Sequence, residues 1–338
     1  MSSIKDVAKY AGVSVATVSR VINHMPNVRP ETIEKVNNAI QACRFVPNAL
    51  ARNLKSEQTK VIGFLVINIA NSYFSVMAKI LAVELREKGY ELMIYSSNDD
   101  PRLEKIYLDQ LLSNQAEGII LNTTGENEDA IIQISQNIPV ALIERNLTSD
   151  LFRGDFVGAN NYGGIFELTR YLQSFGHRRI GFINGNPSVS TGAERYQGFV
   201  DAMKLVHVEV DEQYPYQCNE GLFTEQQGSD SARYLMSLPQ PPTALIGANN
   251  TISIGILKYI KQQRLHIPGE VSIVCYGNIE NSELFFVNLT YTTLNPVTNA
   301  KKACHYMISR LENRTLPNRE TIFESGLCEG ESVGIPAS

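Results

Sequence analysis

The side chains with the clearest chemical purpose lie close together near the start of the chain, in the run AGVSVATVSRVIN at residues 11–23. Read as a helix beginning at Val15, this run presents Ser14, Val15, Ala16, Thr17, Ser19, Arg20 and Asn23 outward or at a rim, while Val18, Val21 and Ile22 turn inward. Small residues at a helix start let the backbone come close to a surface. The Ser14 and Thr17 hydroxyls suit phosphate oxygens, Ala16 and Thr17 suit a thymine methyl, and Arg20 suits guanine or phosphate. The chemistry is recognition of a polyanion that also offers an edge to read.

Reaction chemistry is missing by comparison. The sequence contains no G-x-G pair, no Gly-Lys dipeptide, no G-x-S-x-G and no H-E-x-x-H, which removes the dinucleotide, P-loop, hydrolase-elbow and zinc-protease signatures. His24, His177, His207, His266 and His305 are scattered. The five cysteines (Cys43, Cys218, Cys275, Cys304 and Cys328) are far apart and form no C-x-x-C. Buried thiols are expected rather than disulfides or a metal site. The expectation is a binding protein with no metal, no cofactor and no catalytic residue. No apolar run is long enough to span a bilayer and the N-terminal residues lack the apolar core of a signal peptide, so a cytoplasmic location away from membranes is expected.

The elements around the first run are short helices. Ile4, Val7, Ala8 and Ala11 share one helical face that Gly12 can terminate, and Ser14 can cap the next helix. Pro30 and Glu31 suit the start of a third helix, with Ile33, Val36 and Ile40 as its apolar stripe. Two helices joined by a tight glycine turn make a helix-turn-helix, whose second helix enters a major groove. Charge agrees. Residues 1–60 hold nine Lys and Arg against four acids, a net +5 in a chain of net −5, so the remainder carries −10. A basic head on an acidic body fits a DNA-binding module joined to something else.

IKDVAKYAGVSVATVSRVIN, followed by PETIEKVNNAIQACRFVPNALARNLKS, resembles the DNA-binding head of the LacI/GalR family of bacterial transcription regulators across residues 4–56. The resemblance implies that Val15 and Ala16 occupy the main specificity positions and Arg20 another. It makes PNALARNL, residues 47–54, a hinge helix that contributes Asn48, Ala51 and Leu54 to the DNA. Leu54 would wedge between bases in the minor groove, where unstacking costs a few kcal/mol and the resulting bend gains contacts. An eight-residue helix is marginal alone, so the hinge is expected to order only with DNA and a partner hinge.

From Lys60 the pattern changes. VIGFLVI (61–67), ELMIYS (91–96), GIILN (118–122) and VALIE (140–144) recur at βαβ spacing. RIGFING (179–185), TALIGA (243–248) and SIVCYG (272–277) form a second series. The expectation is an all-α head joined to an α/β body of two lobes, with a ligand cleft beyond the carboxyl ends of the strands. The resemblance extends here, more weakly, to the family's effector domain, which is similar to periplasmic sugar-binding proteins. It divides the chain into a head (1–46), a hinge and linker (47–59) and an effector-binding and dimerisation domain (60–338). Lobe 1 is expected at about 60–159 and 290–318, and lobe 2 at about 160–289 and 319–338.

Thr123 and Thr124 follow the third strand and Arg145 the fourth. The family motifs add the rest: Asn71, Tyr73 and Phe74 from NSYF, where Ser72 replaces proline; Arg195 from R-x-x-G; and Asn249 from GANN, where Asn250 replaces the usual acid. Gly277 and Asn278 stand where the family carries an aspartate that accepts sugar hydroxyls. Losing that carboxylate while keeping Arg145 and Arg195 favours an anionic effector such as a sugar acid or sugar phosphate. If Glu144 neutralises Arg145, the site suits a neutral sugar. LNTTGEN and LIERNL also resemble members of the family that respond to ketogluconate or ketodeoxygluconate. The implied protein is a homodimer, without a tetramerising tail, that binds a pseudo-palindromic duplex operator and represses carbohydrate or sugar-acid genes under control of the small effector. A body that serves as a ligand-free interaction module is the alternative. A transport-type binding protein fits the cleft but not the head, and a dehydrogenase would rest on fold analogy alone.

Overall fold

The computed structural model describes residues 3–22, 25, 26, 28–45 and 59–336. The chain divides into two compact units, residues 1–59 and 60–338. In the first, α1 (Ile4–Ala11) opens on a capping box in which Ser3 and Asp6 satisfy each other's backbone N–H groups, and closes on Gly12 at φ +65°. Ser14 accepts the Thr17 amide at 3.1 Å and so caps α2 (Val15–Ile22). Pro30 opens α3 (Pro30–Ala42). Val7, Ala8, Val18, Val21, Val36 and Ala39 form the core between them. Ile33, expected in that stripe, is 38% exposed, because α3 turns the Val36/Ala39 face inward instead.

The second unit holds two six-stranded sheets. In the first sheet β1 (Val61–Val66), β2 (Glu91–Ser96), β3 (Gly118–Leu121), β4 (Val140–Ile143), β5 (Asp155–Ala159) and β11 (Arg319–Phe323) run parallel in the order β11-β5-β4-β3-β1-β2. Strand alternation sorts the side chains to two faces. Ile62, Phe64 and Val66 pack with α4 (Ser72–Glu87) and α11 (Pro296–Glu312). Leu65, Ile119 and Leu121 pack with α5 (Pro101–Ser113) and α6 (Glu128–Ser135). Both faces are therefore covered, which accounts for strands that read as continuous apolar runs.

The second sheet is ordered β12-β10-β9-β8-β6-β7. It contains β6 (Ile180–Ile183), β7 (Gln217–Cys218), β8 (Ala244–Gly247), β9 (Ser272–Tyr276), β10 (Thr290–Thr292) and β12 (Leu327–Cys328), the last antiparallel to β10. Helices α7 (Asn161–Ser174) and α8 (Ser190–Lys204) cover one face, and α9 (Glu225–Met236) and α10 (Asn250–Gln263) the other.

The chain changes lobe three times, but not where the sequence placed two of the switches. Residues 290–292 still pair in the second sheet, and 319–323 form an edge strand of the first. Strands of three residues between neighbours (290–292) and five at a sheet edge (319–323) carry little apolar signal. The edge strand is held chemically. Buried Asp155 takes paired bonds from Arg310 on α11 (2.8 Å twice) and from Arg319 on β11 (2.8 Å twice). Burial alone would raise the Asp155 carboxyl, but the two guanidinium forks hold it below its ordinary value.

Candidate functional site

On α2, Val15 is 41% exposed, Ala16 and Arg20 are exposed, and Thr17 and Ser19 are half-buried. The Ser14 and Thr17 hydroxyls share a hydrogen bond of 2.9 Å, which orients the rim of the helix start. Asn23, Asn48, Ala51 and Leu54 lie outside the described residues.

In the second unit a cleft opens where the carboxyl ends of the two sheets face each other. Asn71, Tyr73, Phe74, Arg145, Arg195, Asn249, Gly277 and Asn278 all line it, with Glu144, Phe223, Asn250 and Thr251. Thr123 and Thr124 do not. Both are buried beneath the cleft floor, where Glu104 accepts the Thr123 hydroxyl at 2.8 Å and the Thr124 amide at 2.6 Å. Helix α5 brings Glu104 back to the end of β3, and a buried carboxylate there claims the nearest donors.

The two cleft arginines differ sharply. Asp99, in the turn after β2, binds Arg145 through both nitrogens, Nη1 at 2.6 Å and Nη2 at 3.1 Å, and the Thr123 carbonyl takes a further bond from Nη1 at 3.0 Å. Arg145 is therefore neutralised, but by Asp99 and not by Glu144. Arg195 lines the cleft and forms no ion pair within 4 Å among the described residues. Its Nε donates to Asn161 Oδ1 at 2.9 Å, and its guanidinium lies 4.4 Å from the Tyr276 ring centroid and 5.8 Å from that of Phe223. Asn161 cannot turn its amide round, because Nδ2 is bound to Ala159 O and Glu194 Oε2. Burial lowers the Arg195 pKa, while the Tyr276, Glu144 and Glu194 oxygens pull it upward.

Glu144 sits at the end of β4 with φ +60°. Tyr73 Oη donates to Glu144 Oε1, and Asn299 Nδ2 donates to the same oxygen at 2.9 Å. Burial raises the Glu144 carboxyl against the pull of these bonds and of Arg195. Burial and the Glu144 charge likewise push Tyr73 well above the ordinary phenol value.

Gly277 is a backbone requirement. At φ +86° it occupies the left-handed region, and a Cβ there would come within 2.9 Å of Leu294. The turn at the end of β9 therefore brings no side chain from position 277 into the cleft. Asn249 caps α10 by accepting the Ile252 amide at 2.7 Å.

Phe223, Asp99, Asn161 and Asn299 were not singled out from the sequence. Asp99 and Phe223 lie in loops without a periodic pattern, and Asn161 and Asn299 act on partners in distant segments. Among the described residues no cluster of His, Cys, Asp and Glu is arranged to hold a metal, and no helix is long and apolar enough to cross a membrane.

Comparison with known proteins agrees with this geometry. Residues 3–48 match "Bacterial regulatory proteins, lacI family", and residues 59–305 match "Periplasmic binding proteins and sugar binding domain of LacI family". The chain is 30% identical to the HTH-type transcriptional repressor PurR of Actinobacillus pleuropneumoniae serotype 3 over 313 residues, 92% of each chain. It is 30% identical to PurR of Pasteurella multocida over 290 residues, 86% of each. The fold is shared with a LacI-family transcriptional regulator from Silicibacter pomeroyi (TM-score 0.82, 22% identity, 99% of this chain and 100% of that one). It is shared too with the Lac repressor dimer bound to operator and the anti-inducer ONPF (TM-score 0.79, 20% identity, 98% of this chain and 99% of that one). The PurR relatives are named as repressors rather than enzymes, the solved structures share the fold, and the two family models together cover the helix-turn-helix unit and most of the two-lobed α/β unit: the chain belongs to the LacI family of bacterial transcription regulators.

Proposed function

We propose that this chain acts as a cytoplasmic homodimer that represses carbohydrate or sugar-acid utilisation genes, binding a pseudo-palindromic operator and answering to a small effector held between its lobes. On the DNA side the bases are read from Val15, Ala16, Thr17 and Arg20, phosphates are held by Ser14 and Ser19, and Asn23 together with hinge residues Asn48, Ala51 and Leu54 completes the interface. An exposed apolar group at Leu284 (78%), Phe285 (40%) and Phe286 (108%) suits burial against a second copy.

The observation that carries the effector reading is the setting of Arg195: buried, fixed at Nε, flanked by aromatic rings and lining the cleft. A planar acceptor pair meets such a fork best, as a carboxylate does. Because Asp99 occupies Arg145, the cleft has among the described residues one cationic fork outside an ion pair and suits a single anionic group, with Asn249 and Asn278 for the hydroxyls. A second reading, a purine base, is favoured by the PurR relatives and by the Phe74 and Phe223 walls, since a base offers both a π-face and acceptor atoms for Arg195.

Titration calorimetry of the full chain against gluconate-type acids, their parent sugars and free purine bases separates the readings. Tight binding of sugar acids supports the first. Tight binding of purines alone replaces it with the second, and neutral sugars alone would end both. A thermal-shift screen in which no metabolite stabilises the chain would favour a ligand-free body. For the DNA side, a fragment lacking residues 1–59 should lose all sequence-selective operator affinity. Retention of that affinity would sink the assignment.

A further inference from the structure

The cleft is bridged by two side chains that the effector reading leaves unused in this respect. Asn71 caps α4 in the first lobe, and Asn250 is the first residue of α10 in the second. Their amides pair reciprocally: Asn71 Nδ2 donates to Asn250 Oδ1 at 3.1 Å, and Asn250 Nδ2 donates to Asn71 Oδ1 at 2.9 Å. Neither amide is free to turn over. Asn71 Oδ1 also accepts the Tyr73 amide at 3.0 Å, and Asn250 Oδ1 accepts the Thr251 amide at 2.9 Å. Asn71 Nδ2 reaches Thr251 Oγ1 as well, at 3.2 Å, and elsewhere on the rim the Asn146 amide donates to Ser190 Oγ at 2.9 Å.

We propose that the Asn71–Asn250 amide pair is a latch that holds the two lobes closed without an effector. It depends on this chain's residue at 250. An aspartate there would keep the Asn71 Nδ2 bond, but its second oxygen would face Asn71 Oδ1 acceptor to acceptor. Asn71 could not relieve this by turning over without losing the α4 cap. The paired amides need no proton, ion or ligand to complete them. The pair also lies at the meeting of two helix N-termini, where a neutral donor–acceptor couple joins ends that offer only N–H donors. The consequence for regulation rests on the cleft being the effector site: an effector would enter a protein that is already closed, so opening comes first.

The test measures lobe separation in the full-length chain without DNA or effector. Genetically encoded spin labels at exposed Glu126 and Gln226 report on the two lobes, with labelled chain diluted into unlabelled chain so that each pair of labels lies within one subunit. The parent should show mainly the short separation. In Asn250→Ala and Asn250→Asp the ratio of closed to open should fall about tenfold, the worth of one to two hydrogen bonds. Thr251→Val, which removes only the Asn71 Nδ2–Thr251 Oγ1 bond and leaves the amide pair intact, should lower the ratio less than either Asn250 variant. Should Asn250→Ala fail to fold, the near-isosteric Asn250→Asp carries the comparison. An Asn250→Asp distribution equal to that of the parent, or a parent already as open as the variants, overturns the latch. Because no effector is present, that failure stands apart from any failure of the effector reading.

Discussion

Arg20 on the DNA-binding unit and Arg195 in the cleft place the same side chain in opposite surroundings. Arg20 stands in solvent in the last turn of α2, where its charge acts over a distance and is screened by salt. Arg195 is buried, packed against the Tyr276 ring and tied at Nε, so that desolvation has been met on folding and its orientation is set. On the proposed function the head would spread recognition over several replaceable contacts, while the cleft would concentrate it on the Arg195 fork, because Arg145 is occupied by Asp99.

The sharpest way to break that contrast is Arg195→Ala. Effector affinity, measured by calorimetry, should fall a hundredfold or more, while operator affinity without effector stays at the parent value. A loss below tenfold would mean that the cleft shares its recognition as the head does. Asp99→Asn comes next. It leaves the buried Arg145 guanidinium without its counter-charge, and unfolding in urea should show a loss of about 2 kcal/mol, discounted for the partial exposure of Asp99. The same variant frees a second fork, so affinity for anionic ligands should rise. If stability is unchanged, Arg145 is not held as described.

Arg20→Ala is the matching change in the head. Operator affinity should drop about tenfold, and the dependence of log K on log salt should become shallower by close to one contact if Arg20 binds phosphate. An unchanged slope with relaxed base preference assigns Arg20 to a base edge instead. Equal binding by variant and parent removes Arg20 from the interface.

The same contrast explains what could be read beforehand. The three head helices announce themselves through neighbours in sequence: Gly12 after Ala11, Ser14 before Val15, Pro30 at a first turn. Ile33 was misplaced because its helix shows two adjacent apolar faces and tertiary packing selects one. In the body, the strands are legible as apolar runs, and Arg195 through the family motif it shares with Gly198, where a Cβ would strike the Tyr162 carbonyl at 2.4 Å. Asp99 meets Arg145 from 46 residues away, and Asn299 meets Glu144 from 155 residues away. No periodicity links such pairs. The short strands at 290–292 and 319–323 hide the lobe switches for a related reason: their pairing is set by the sheet they join.

The smallest expected effect concerns Glu144, the carboxyl that the cleft buries beside Arg195. Its folded value lies above the ordinary one, so between the two the native chain holds a proton that the unfolded chain has lost. Stability from this group is therefore greatest at or below the ordinary glutamate range and declines as pH rises through the raised folded value. Glu144→Gln keeps an acceptor for Tyr73 and Asn299 and removes the titration. Asp155, held low by Arg310 and Arg319, contributes the opposite trend, with stability present above the ordinary aspartate range and lost as pH falls through its depressed value. Since Asp155 is common to both chains, the difference between their melting curves isolates Glu144. Calorimetric scans from pH 4 to 7 should show the variant gaining on the parent as pH rises, by about 2 °C in Tm at the upper end. Parallel curves would mean that Glu144 stays charged throughout, and that Arg195 faces a full negative charge in the cleft.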